Sequence, residues 1–174
     1  MDDLSIRRLG PGEVAPMALL LLADPSPEIV QGYLGRGQVY VGAQADAIIA
    51  VYVLLSTRPE TIELVNVAVA PQWQGQGLGK RMVQHAIETA KRMGCSTIEV
   101  GTGNSGVGQL ALYQKCGFRI TGVDLDFFVR HYAEPIVENG IACRDMIRMR
   151  LDLVSRSAAG KTERSKGKGK GITQ

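Results

Sequence analysis

Three glycines at alternate positions, Gly75, Gly77 and Gly79, separate the apolar run Val67-Ala68-Val69-Ala70 from a strongly amphipathic segment beginning at Leu78. Glycine lets a chain turn tightly and brings bare main-chain N–H groups against a ligand. A helix starting there would add unpaired N–H groups and a partial positive charge, a combination suited to phosphate or pyrophosphate. Lys80 and Arg81 put cations in that first turn, where an isolated helix disfavours them, so an anion at this point would account for both. A plain glycine-rich turn with solvated bases is the alternative reading. A P-loop fits poorly: Gly79-Lys80 is followed by Arg81, and position 74 is Gln. A dinucleotide fingerprint fits poorly too, because the spacing is Gly-x-Gly-x-Gly and the preceding strands read as antiparallel.

The elements that must position this loop follow from periodicity. Leu4–Leu9 reads as a strand closed by Gly10-Pro11-Gly12. Glu13–Ala23 reads as an apolar helix interrupted at Asp24-Pro25-Ser26-Pro27, and Glu28–Leu34 as a second short helix. Val39–Gly42, Ala47–Ser56 and Thr61–Val69 are three consecutive strands with short links, hence antiparallel. Leu78–Met93 is the clearest helix, with Leu78, Met82, Val83, Ala86, Ile87, Ala90 and Met93 on one face and Gly94 as its stop. Thr97–Val100 is a short strand. A glycine-rich stretch over 101–108 leads to a helix near Lys115, and Phe118–Val123 and Ala142–Leu151 are the last two strands. Asp126–Glu138 is left as a loop. The expected fold is α+β: one domain over residues 1–154, with a mixed, mostly antiparallel twisted sheet of six to seven strands flanked by about four helices.

Of the 174 residues, 20 are Lys or Arg and 17 Asp or Glu, a net +3. Residues 155–174 carry six bases and one acid, so that Lys/Gly-rich tail holds +5 and the body −2. Specific nucleic-acid binding by the body is therefore not expected, and the tail is expected to be disordered. Three cysteines with no CxxC spacing suit a reducing cytoplasm rather than a disulfide framework or a metal site. The longest apolar stretch is too short to span a bilayer, and no secretory leader is recognisable, so a cytoplasmic protein without membrane contact is expected.

Gln74-Gly75-Gln76-Gly77-Leu78-Gly79 resembles the Gln/Arg-x-x-Gly-x-Gly/Ala signature of the GCN5-related N-acetyltransferase (GNAT) superfamily. Asn104 and Leu112-Tyr113-Gln114-Lys115-Cys116-Gly117-Phe118 resemble its second signature, an Asn followed by Leu-Tyr-x-x-x-Gly-Phe, although here nine residues separate Asn104 from Tyr113. The order of elements matches over about residues 4–152, with bacterial small-molecule members the most similar. The resemblance implies acetyl-CoA as donor, a primary amine as acceptor, and direct transfer without metal. It places the pyrophosphate on the backbone of Gln74, Gly75, Gln76, Gly77, Leu78, Gly79 and Lys80. The pantetheine arm would lie on the strand backbone at Val67, Ala68 and Val69, with the sheet parted between Thr61–Val69 and Thr97–Val100. Asn104 is implied as a further cofactor contact, or else a helix cap.

Aminolysis of a thioester requires a deprotonated amine, N–H donors for the developing oxyanion, and an acid for the leaving thiolate. The resemblance makes Tyr113 the acid, against the alternative of a core tyrosine. Glu63, on one strand face with Val65 and Val67 by a period of two, becomes the candidate base; a solvated carboxylate is the alternative. Trp73 is expected to pack against the glycine loop, His85 to lie on a helix surface, and Cys116 to be no nucleophile. His131 and Tyr132 sit in a segment that could contact the acceptor. Asp124, Asp126, Glu134 and Glu138 against Arg130 make residues 121–140 acidic, which would attract a small cationic amine. Acetylation of a protein lysine or N-terminus, or an acyl-CoA sensor without catalysis, are the alternative functions. Two chains pairing along an exposed C-terminal strand edge is the expected form of any homodimer.

Overall fold

The computed structural model describes residues 4–45 and 47–153; the tail at 155–174 lies outside them. The strands are β1 (Ser5–Arg8), β2 (Gln38–Gln44), β3 (Ala47–Arg58), β4 (Thr61–Val69), β5 (Thr97–Gly103), β6 (Arg119–Asp124), β7 (Ile136–Glu138), β8 (Ile141–Cys143) and β9 (Met146–Asp152). The helices are α1 (Met17–Ala23), α2 (Pro27–Leu34), α3 (Leu78–Arg92), α4 (Val107–Lys115) and α5 (Phe127–His131), with a 3-10 turn at Pro71–Trp73. Seven strands form one sheet in the order β1-β2-β3-β4-β5-β9-β6, and β7-β8 is a separate hairpin. Every neighbouring pair is antiparallel except β4 and β5.

Two cores, one on each face of the sheet, hold this arrangement. On one face α3 buries Met82, Val83, Ala86 and Ala90 against Tyr52, Leu54, Ile62, Leu64 and Ile98, and α4 adds Tyr113. On the other, α1 and α2 bury Leu20, Val30 and Tyr33 against Val41, Val51, Val53 and Ala68. Removing each such aliphatic side chain from water contributes about 1.5–3 kcal/mol. α2 starts where Ser26 Oγ accepts from Ile29 N, with Pro27 in its first turn.

Three expectations change. The first helix begins at Met17, not Glu13, because Gly12 takes a positive φ and the Glu13 carboxylate is turned back onto Gly10 N and Arg7. His85 is half-buried against β3, its Nδ1 2.8 Å from the Tyr52 hydroxyl, and burial lowers its pKa. Residues 126–138 hold α5 and the first arm of a hairpin rather than a plain loop. That hairpin turns through Asn139 and Gly140, both at positive φ, with Glu138 opposite Ile141, the geometry that an Asn-Gly pair favours.

Candidate active site

The β4–β5 pairing is short. Thr61 to Leu64 run parallel to Thr97 to Val100, and beyond that point β4 has no β5 partner while β3 and β9 continue to pair on the outer sides. The sheet therefore parts where the sequence resemblance required it. The opening is a slot of about 150 Å³ whose lining draws residues from elements on both faces of the sheet. Gln109 and Tyr113 of α4 line it on the α3 side; the end of α1, Tyr132 just after α5 and Glu138 of the hairpin line it on the α1 side.

A β-bulge sets which β4 side chains face each way. Val53 pairs with Asn66 but Leu54 with Leu64, so Val65 is an extra residue. Beyond it, Val67 and Val69 pack toward α3, whereas Ala68 and Asn66 face α1. Glu63 lies before the bulge, opposite Leu55, and thus on the α1 face rather than on the face of Val67. It lines a neighbouring cleft with Arg58, Glu99, Thr121 and Arg148, with Arg148 Nη1 at 3.7 Å, and not the slot. Burial raises its pKa, opposed by Arg148. The strict alternation expected for this strand fails at one residue, and Glu63 and Tyr113 are not brought into one cavity.

Tyr113 is 5% exposed, in edge contact with Phe118, and aligned with the slot. No hydrogen bond to its hydroxyl is found among the described residues. Burial pushes its phenol well above the ordinary tyrosine range, so it remains protonated at neutral pH. Cys143 also lines the slot, yet burial raises its thiol pKa, and Cys116 behaves likewise; neither thiol is activated.

The glycine loop follows β4 directly. Gln74 Nε2 donates to Val69 O at 2.9 Å, which fastens the loop to the strand end. Gly77 is the α3 N-cap at φ 80°, and no side chain caps the helix. A Cβ at Gly75 or Gly77 would meet no protein atom within 4 Å, so the main-chain amides there are open to a ligand. Lys80 is exposed and the first turn contains no acid. Trp73 packs partly buried against the α3-side core.

Asn104 does not cap α4; its side chain reaches across to the hairpin segment. Its Oδ1 accepts from Arg144 N at 2.8 Å and Asp145 N at 3.0 Å, and its Nδ2 donates to Ala142 O at 3.0 Å. Gly106 is the N-cap of α4. Asn104 thus ties the β5–α4 loop to the hairpin, and Gly103 permits the close approach, since a Cβ there would fall 2.4 Å from Cys143 Sγ.

The acidic reading of residues 121–140 is reduced by partners from beyond that window: Arg148 bonds Asp124, which also holds Arg130, and Arg144 bonds Asp126. Asn66, Asp24 and Ser105, polar residues at or near the α1 side of the slot, escaped sequence reasoning. Asn66, 3% exposed, donates to Leu20 O and Tyr33 Oη, and its Oδ1 has no partner among the described residues. The Tyr132 hydroxyl donates to the buried Asp24 at 3.1 Å, whose pKa is raised by burial. Ser105 is wholly buried beneath the hairpin. An Asn-Gly dipeptide between Ile136–Glu138 and Ile141–Cys143 was the available signal for that hairpin.

Among the described residues no group of His, Cys, Asp and Glu side chains could hold a metal ion, and no helix is long and apolar enough to cross a membrane.

The acetyltransferase (GNAT) family matches residues 21–118. The uncharacterized N-acetyltransferase YvbK of Bacillus subtilis is 60% identical over 135 residues, 78% of this chain and 87% of that one. A B. subtilis acetyltransferase solved in complex with CoA is 55% identical, with a TM-score of 0.83 over 87% of this chain and 100% of that one. A GNAT-family acetyltransferase of Elizabethkingia anophelis with acetyl-CoA bound is 44% identical, with a TM-score of 0.85 over 87% and 99%. The chain belongs to the GNAT acetyltransferase family, and N-acetyl transfer is its class of reaction.

Proposed function

We propose that the protein transfers an acetyl group directly from acetyl-CoA to a primary amine of a small, cationic acceptor. The observation that carries this is the slot through the sheet, with the open glycine loop at one end of β4 and Tyr113 on the α3 side. Main-chain amides of Gln74, Gly75, Gln76, Gly77, Leu78, Gly79 and Lys80 would hold the diphosphate of a donor that two solved relatives bind as CoA or acetyl-CoA. The backbone of Val67, Ala68 and Val69 would receive the pantetheine arm on the strand edge that β5 leaves free. The acetyl group then reaches the slot, where the amine enters from the α1 side. Tyr113, kept neutral by burial, supplies the proton to the departing sulfur. The narrow cavity roofed by α1, α5 and the hairpin supports a small acceptor over a protein surface, which needs an open groove. On this reading the protein acts in the cytoplasm, which its three cysteines without CxxC spacing suit. A second copy would pair along the edge strand β6, where Ile120 and Val123 are exposed.

The test is CoA release with acetyl-CoA and a panel of spermidine, kanamycin, lysine amide and an alanine-starting peptide. Release with a small amine, reduced 10²-fold or more in Tyr113→Phe at unchanged acetyl-CoA affinity, is the expected result. Binding of acetyl-CoA without release from any amine would identify a sensor. Release from the peptide alone would identify a protein acetyltransferase.

A further inference from the structure

The reaction needs a group that takes the amine proton, and Glu63 does not line the slot. Among the described residues the slot's lining contains one carboxylate, Glu138. It stands at the end of β7, next to the Asn139–Gly140 turn, and that turn is anchored. Asn139 Nδ2 donates to Ser105 O at 3.0 Å, and the wholly buried Ser105 donates through Oγ to Glu138 Oε2 at 3.0 Å. Asn104 secures the following segment through its bonds to residues 142–145. One carboxylate oxygen is therefore fixed by a buried hydroxyl, and among the described residues no ion pair neutralises the group. Asp124 and Asp126 are paired with Arg130, Arg144 and Arg148, and Glu134 does not line the slot.

Resting on the acetyltransferase reading above, we propose that Glu138 is the carboxylate that meets the acceptor ammonium in the slot and takes its proton, with Ser105 as its positioning residue. The proton balance closes. The ammonium gives one proton to a Glu138 oxygen, and the freed nitrogen pair forms the C–N bond at the thioester carbon. As the C–S bond breaks, the sulfur takes the Tyr113 proton, and the second nitrogen proton restores the phenol. Glu138, exposed at the mouth of the slot, then releases its proton to solvent. One ammonium and one thioester yield one amide, one thiol and one proton in solution.

The experiment compares wild type, Glu138→Gln, Glu63→Gln and Ser105→Ala, using the amine of the panel that wild type turns over fastest. Acetyl-CoA affinity is measured in parallel by calorimetry. Glu138→Gln is expected to lower kcat/KM for the amine by about 10²-fold or more at pH 7, with acetyl-CoA affinity within twofold of wild type. Its residual kcat/KM should climb about tenfold per pH unit from pH 7 to 9, because the amine must then shed its proton in solution at a pKa near 10.4. Ser105→Ala should lower kcat/KM less, and keep the wild-type pH profile. A wild-type profile in Glu138→Gln, or the steep climb appearing in Glu63→Gln instead, would overturn the proposal. Wild type that binds acetyl-CoA but turns over no amine would instead remove the reading beneath it.

Discussion

Gly77 and Gly94 flank the same helix, both in left-handed conformation, at φ 80° and 77°, and a Cβ at either meets no protein atom within 4 Å. Alanine at each position therefore introduces the same kind of fault, backbone strain of about 1–2 kcal/mol without a clash. For a domain of this size about 1 kcal/mol lowers Tm by about 2–4 °C, so both variants should melt roughly 2–8 °C below wild type. They should differ in ligand binding. At Gly77 the new methyl group stands beside the open amides that start α3, whereas Gly94 lies beyond the far end of that 15-residue helix. Denying a charged diphosphate one amide hydrogen bond costs about 1.5–3 kcal/mol, or about 10- to 150-fold in affinity. Calorimetry with acetyl-CoA should therefore show a loss of that size in Gly77→Ala and less than a threefold change in Gly94→Ala. Equal affinities in the two variants would refute the placement of the diphosphate on this loop.

Two further substitutions separate roles that the structure assigns to other residues. Glu63 has a folded-state pKa above the ordinary carboxylate value, so the folded protein holds that proton more tightly than the unfolded chain, and its contribution to stability declines as pH rises from the unfolded value through the raised one. Glu63→Gln should accordingly melt above wild type at pH 7 and lose that advantage below pH 4; an advantage that grows on acidification would contradict the desolvation argument. Asn104→Ala removes three hydrogen bonds to residues 142–145, each contributing about 0.5–1.5 kcal/mol. Amide exchange at Arg144 and Asp145 should accelerate at least tenfold while acetyl-CoA affinity holds, whereas lost affinity with unchanged exchange would restore Asn104 to the cofactor.

The regular part of this fold was legible because its signals are local. The 3.6-residue apolar stripe of α3 and the β-branched runs of β2 to β4 fall where periodicity puts them, and the paired signatures around Gly77 and Tyr113 led to the family. What sequence reasoning lost depends on non-local pairing. The bulge at Val65 exists only as a register between β3 and β4, and nothing in Glu63-Leu64-Val65-Asn66 announces that one residue will be skipped. A strict period of two thus carried Glu63 to the wrong face. The charge count over 121–140 failed for a related reason: Arg144 and Arg148 come from beyond the counted window and cancel Asp126 and Asp124. The hairpin was missed despite its Asn-Gly turn, because each arm is only three residues long.

Where β4 and β5 diverge, the molecule carries two facing strand margins inside its own outline. On an outer rim, such margins invite copies of the chain to stack; recessed in a wedge, they admit a single slender chain. Strands sit about 4.8 Å apart, so a guest of that thickness bridges the gap as a missing rung would. With the pantetheine arm placed as proposed, occupancy and rigidity would become one quantity: the donor-loaded enzyme would be the more completely zipped protein, and each turnover would open and reclose the seam down its middle.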